Sequence, residues 1–175
     1  GSWTDVTPSF TFVTGSRALD AAVVELHEDN GFDIVVAYEG RSAVVYRDRK
    51  MGRYEAVPLG FPLAAPLQVA DLNQDGFLEL VAGDAVAYNQ RGSLLQQGPK
   101  LPRPALLFAD FQNRGRADLL AAGELLVHRS GFTYEPGKVR GYTGPVVAAV
   151  AAELTGDGLL DAAVVRPDGG VSLLR

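Results

Sequence analysis

The sequence predicts an all-β chain folded as a β-propeller: four blades of four antiparallel strands, the ring closed by pairing an N-terminal strand with the C-terminal blade. Three observations predict it. A nine-residue frame built on Asp, Asn, Glu and Gly recurs at 25–33, 71–79, 110–118 and 153–161. Its spacing, roughly forty to forty-five residues, is the size of a four-stranded propeller blade. The last repeat stops short of a fourth strand, while residues 9–13 (Ser-Phe-Thr-Phe-Val) read as a strand that no preceding repeat owns. One spare strand and one missing strand complete a blade and hide an edge.

Each repeat reads as four strands in order. The first precedes the frame, at 21–26, 67–70, 106–109 and 146–152, and the second follows from its last residue, at 33–38, 79–82, 118–121 and 161–166. A glycine-bearing turn leads to the third, at 43–46, 85–88, 124–128 and 171–174. A more polar fourth occupies 54–59, 94–97 and 132–135. These runs are too short for globular helices, which favours hairpins. Alanine gathers in the first strands (Ala21, Ala22, Ala70, Ala109, Ala148, Ala149, Ala151, Ala152), where crowding around a ring axis would overpack larger side chains. Gly1 and Ser2 read as a cloning remnant, leaving 3–175 as one propeller domain, expected to be monomeric. The rival arrangement is a half-ring whose edges pair with a second copy to make an eight-blade dimer.

Composition narrows the function classes. A chain of 175 residues can bury one good core, and its net charge of −5 argues against a phosphate-binding footprint, so no nucleic-acid partner is expected. No apolar run approaches the length of a membrane-spanning helix. The absence of cysteine excludes disulfides and thiolate metal sites.

The frame at 71–79 carries Asp71, Asn73, Asp75 and Glu79, with Gly76 at the sixth position where the backbone must turn sharply. Alternate oxygen ligands on a tight loop suit a hard cation such as Ca²⁺. Flanking strands and Ala82 at position twelve exclude an EF-hand. The other reading is an Asx turn with no ion. The fourth loop keeps Glu153, Thr155, Asp157 and Asp161, enough oxygens for a weaker site. In the first, His27 replaces an oxygen ligand and Asn30 replaces the glycine. In the third, Arg114 puts a fixed positive charge at the fifth position, so no metal is expected there.

The strand–DxNxDGxxE–strand frame, followed by a glycine turn and an aromatic-bearing outer strand, resembles the FG-GAP/VCBS repeats of integrin α-subunits and many bacterial secreted or surface proteins. The resemblance runs from about residue 9 to 175, and only the second repeat matches the calcium pattern closely. It implies a structural Ca²⁺ held by Asp71, Asn73, Asp75 and Glu79 with the Phe77 carbonyl. Glu79 stands where the family usually has Asp. It also implies an extracellular, cell-surface or periplasmic location.

No catalytic constellation stands out, since His27 and His128 lack motif-defined partners and the carboxylates repeat with the blades. The expected function is a non-catalytic, calcium-stabilised module that binds or scaffolds a protein or glycan. A carbohydrate-active domain, lectin or lyase/hydrolase, is the alternative. Binding residues concentrate in loops on a rigid scaffold. Phe61, Arg103 and Tyr142, in the long blade-to-blade connections, are the candidates, although Phe61 and Tyr142 read equally well as core caps.

Overall fold

The computed structural model describes residues 2, 12–27, 29–92 and 95–175. Among them fifteen strands form four antiparallel sheets, one per repeat, arranged as a four-bladed β-propeller. Blade 1 holds β1 (Ala18–Val24), β2 (Asp33–Tyr38), β3 (Val44–Asp48) and β4 (Tyr54–Pro58). Blade 2 holds β5 (Leu67–Ala70), β6 (Glu79–Ala82), β7 (Ala85–Asn89) and β8 (Leu95–Gln97). Blade 3 holds β9 (Leu107–Ala109), β10 (Asp118–Leu120), β11 (Leu125–Ser130) and β12 (Thr133–Pro136). Blade 4 holds β13 (Ala148–Ala152), β14 (Asp161–Val165) and β15 (Val171–Leu174). Every sheet follows chain order, a meander.

The second strand of each blade begins on the ninth residue of the frame, a buried acid: Asp33, Glu79, Asp118 or Asp161. Side chains then alternate between faces. Leu80, Leu119 and Ala162 point to the preceding blade, and Val35, Val81 and Leu120 to the following one. With both faces covered, β2, β6 and β10 read as continuous apolar runs rather than alternating ones. Three joints result. Val35 and Val45 meet Leu80 and Ala87 between blades 1 and 2. Val81 and Val86 meet Leu119 and Leu126 between blades 2 and 3. Leu120 meets Ala162, Val164 and Leu174 between blades 3 and 4.

Each connection tucks into the joint it crosses: Leu59, Phe61 and Leu63 into the first, Leu101 and Ala105 into the second, Val139 and Tyr142 into the third. Polar links bridge the blades as well. Leu67 N–H donates to Asp20 Oδ2 at 2.7 Å, Asn89 Nδ2 to the Leu26 carbonyl at 3.0 Å, and Gln68 Nε2 to the Ala105 carbonyl at 3.1 Å.

The pairing expected between residues 9–13 and Val171–Leu174 falls largely outside the described residues. Phe12 and Val13 are described, and they lie on blade 1 against Val36, Tyr38, Val44 and Tyr46. There Val13 N–H donates to the Tyr46 hydroxyl at 2.9 Å. At the end of β15 the outer edge is met by a different segment: Gly141 bridges Leu174, and Arg140 and Arg175 exchange N–H to carbonyl bonds at 2.8 and 2.9 Å. The start of the expected strand at 94 likewise lies outside the described residues, and β8 is described from Leu95.

Candidate functional site

The four frames fold alike because their backbones share one unusual turn. The sixth residue takes a left-handed conformation in every loop: Asn30 (φ 57°), Gly76 (φ 89°), Gly115 (φ 70°) and Gly158 (φ 79°). Asparagine tolerates that region better than most side chains, so the substitution at Asn30 keeps the turn. The first-position acid then folds back on the loop. Asp71 Oδ1 and Oδ2 accept from the N–H groups of Gln74 and Gly76 at 2.7 and 3.0 Å. Asp110 accepts from the N–H groups of Arg114 and Gly115, and Glu153 Oε1 from those of Thr155 and Gly156.

The ninth-position acid has a role the sequence did not disclose. It staples the second strand to a main-chain N–H of its own blade. Asp33 Oδ1 accepts from Asp48 N–H at 2.8 Å and Asp118 Oδ1 from His128 N–H at 2.9 Å, both on third strands. Glu79 Oε2 accepts from Leu72 N–H at 2.8 Å and Asp161 Oδ2 from Leu154 N–H at 3.0 Å, both at the second loop position. Burial pushes the Glu79 carboxyl up to about 7, opposed by the N–H groups of Leu72 and Asn89 and reinforced by the charges of Asp75 and Asp71. Burial also raises the Asp118 carboxyl.

The loops divide by how their acids are compensated. In the first, Lys50 reaches across from the β3–β4 turn to Asp29, donating to its carbonyl at 2.8 Å and to Oδ1 at 3.2 Å, and holds the Asp29 carboxyl low. His27 Nδ1 lies 2.7 Å from Asp33 Oδ2. In the third, Arg114 Nη2 donates to Asp118 Oδ1 at 3.2 Å, as its charge and position predict. Among the described residues no ion pair reaches the second loop (Asp71, Asp75, Glu79) or the fourth (Glu153, Asp157, Asp161). Each of these two loops also holds a buried oxygen without a partner, Glu79 Oε1 and Thr155 Oγ1. Asp118 Oδ2 in the third is a further unpartnered oxygen.

In the second loop Asp75 Oδ1 accepts from Phe77 N–H at 3.0 Å and Oδ2 from Asn73 Nδ2 at 3.1 Å, while Asn73 Oδ1 accepts from Asp75 N–H at 2.9 Å. In the fourth, Asp157 Oδ1 accepts from Leu159 N–H at 3.0 Å. These are Asx turns, and among the described residues no three His, Cys, Asp or Glu side chains converge as a metal-holding group. A carboxylate oxygen that accepts one N–H keeps a second lone pair. The donor types therefore still fit a hard cation, and Glu79 Oε1 is a buried oxygen of this loop without a hydrogen-bond partner.

Arg114→Asp tests the division directly. In chelator it should destabilise the protein by roughly 1–3 kcal/mol through carboxylate crowding with Asp110 and Asp118. Added Ca²⁺ should recover part of the loss. Equal thermal melts for variant and parent in chelator would make Arg114 an ordinary surface residue.

Phe61 packs into the first joint and Tyr142 into the third, where Arg166 lies 5.6 Å over its ring. Arg103 is exposed and pairs with Glu124 at 3.2 Å. The two aromatics thus cap the core. His128, which the sequence leaves without a motif-defined partner, is a buried polar group of blade 3. His128 is 1 % exposed, with Nε2 2.7 Å from the Gly131 carbonyl and its ring edge-on to Tyr134. Burial, then the charges of Asp118 and Glu79, raise the Tyr134 hydroxyl.

Fold and loops together define a four-bladed β-propeller made of strand–loop–strand repeats. No protein-family model matches the sequence, and no curated protein matches it. Among solved structures the chain is similar to the biofilm matrix protein Bap1 of V. cholerae, with a TM-score of 0.55 and 21 % identity. The match covers 85 % of this chain and 24 % of Bap1, so the chain spans about a quarter of that protein's length. No helix among the described residues is long and apolar enough to cross a membrane.

Proposed function

We propose that this chain is a non-catalytic propeller module of an extracellular matrix or cell surface, stabilised by Ca²⁺ and presenting its loops to a protein or glycan. One observation carries the calcium reading: loops one and three each hold an ion pair, Lys50 with Asp29 and Arg114 with Asp118, whereas loops two and four have three acids each and no ion-pair partner among the described residues. In the second loop Asp71, Asn73, Asp75, Glu79 and the Phe77 carbonyl would hold the ion; in the fourth, Glu153, Thr155, Asp157 and Asp161 would hold a weaker one. The ion would supply positive charge and link loop to strand. The non-catalytic reading is supported by where the buried carboxylates spend their oxygens, which is on main-chain amides of their own blades. The matrix setting is supported by the likeness to Bap1.

A ligand that binds only the folded state, at a hundred times its dissociation constant, adds roughly 2.7 kcal/mol. The melting temperature should therefore fall in chelator and return with Ca²⁺, less well with Mg²⁺, which demands a smaller octahedral shell. Asp75→Ala should remove most of that response. A melt indifferent to chelator and to added Ca²⁺ would refute the calcium role. A glycan array read beside a reducing-sugar assay on polysaccharides tests the rest: new reducing ends would replace the binding module with a carbohydrate-active domain.

A further inference from the structure

Every joint in this propeller is made from the same two halves. One half is the face of a blade turned to its successor, bearing the second residue of the frame and the second residue after its ninth-position acid. Leu26 and Val35, Leu72 and Val81, and Phe111 and Leu120 supply it in blades 1, 2 and 3. The other half is the opposite face of the next blade, together with the connection leading into that blade. Leu80 with Leu59, Phe61 and Leu63 is one instance.

Two half-joints remain. On blade 4 the face turned away from blade 3 presents Val150, Val165, Val171 and Leu173 at 65, 36, 68 and 37 % exposure. Their cross-strand register places them with Ala163 on one side of the sheet. Leu154, at the second frame position, is 53 % exposed, where Leu26 and Leu72 are 2 % and 0 %. Blade 1 has the complementary half. Val36, Tyr38, Val44 and Tyr46 are already buried, packed by Phe12 and Val13 from the segment leading into that blade as Leu59 and Phe61 pack the first joint, so the open part of this half is the edge strand β1. Val23, paired with Ile34 on the same face, is 67 % exposed. Among the described residues, this cluster contains none from blade 4.

We propose that the exposed face of blade 4 docks onto the Val23 face of blade 1 in a second copy of this chain. The two faces are the halves that already join three times within one chain, so the contact repeats an interface the fold makes at each of its joints. Each copy carries both halves. A head-to-tail pair related by a two-fold axis would bury both at once, whereas any other rotation would leave one half open to a further copy. The contact packs face on face. It does not depend on the outer edge of β15, which Arg140 and Gly141 meet at Leu174 and Arg175.

Sedimentation equilibrium of the full chain across a hundredfold concentration range tests this. The expected species is a dimer of twice the 18.6 kDa chain mass, dissociating on dilution. Val150→Glu on blade 4 and Val23→Glu on blade 1 should each weaken the dimer by at least tenfold, with circular dichroism confirming that the monomers stay folded. Mixing the two variants should restore dimer, because the mixed pair keeps one joint free of both substitutions. A parent that is monomeric throughout, a dimer that survives both substitutions, or a mixture that stays monomeric would each overturn the proposal. Should either Glu variant unfold, Val171→Lys and Ala21→Lys make the same test on the same two faces.

Discussion

Leu80→Ala is expected to lower the unfolding free energy by about 2–5 kcal/mol and the melting temperature by roughly 5–15 °C. Leu80 is fully buried at the first residue after the frame of blade 2, in one cluster with Val24, Leu26, Val35 and Val45 of blade 1. Truncation there loses transfer free energy and leaves a cavity that two short-stranded sheets on either side can close only in part. The apolar joints hold blade to blade, since the strand hydrogen bonds run within sheets. Val57→Ala makes the comparison, because Val57 is 41 % exposed on β4. It should cost less than about 1 kcal/mol. Urea melts of both variants read the difference. If the two costs were equal, the joints would not be where this fold stores its stability.

Much of this architecture is legible in the sequence because one frame marks each blade. The ninth-position acid opens the second strand in all four repeats, so β2, β6, β10 and β14 start where the spacing predicts. Turn and apolar run then set the start of the third strand to within one residue. First strands are less legible: β1 begins at Ala18 rather than 21, through an irregular register at Ala18 and Asp20, because Asp20 turns to cap Leu67 of the next blade. That partner is distant in sequence and invisible to periodicity.

The loops show the same split between local and long-range causes. Arg114 sits inside its own frame, so its pairing with Asp118 follows from position alone. Lys50 compensates the first loop from the β3–β4 turn, a contact that only the fold creates. The staple role of the ninth-position acid is hidden for that reason too in blades 1 and 3, where Asp48 and His128 supply their N–H groups from third strands. Phe61 and Tyr142 carried no local mark of their fate. An aromatic in a connection reads alike whether it meets a ligand or fills a joint, and here both fill joints.

Asp118→Ala is expected to cost about 2–4 kcal/mol, more than any surface charge in this protein. Asp118 is fully buried, and its Oδ1 accepts both the His128 N–H at 2.9 Å and the Arg114 guanidinium at 3.2 Å. Removing it strands a buried main-chain donor, worth about 1–3 kcal/mol. It also leaves Arg114 without its carboxylate, a smaller loss because that side chain is 32 % exposed and solvent takes over part of the charge. Asp118→Asn separates the two effects. Its carbonyl oxygen can still accept from His128, while the charge that compensates Arg114 is gone. Denaturant melts should place Asn well above Ala in stability, and hydrogen exchange should find the His128 amide protected in the Asn variant and fast in the Ala variant. Equal losses for Asn and Ala, with the His128 amide protected in both, would mean that the ninth-position acid acts through its charge and not as a staple between β10 and β11.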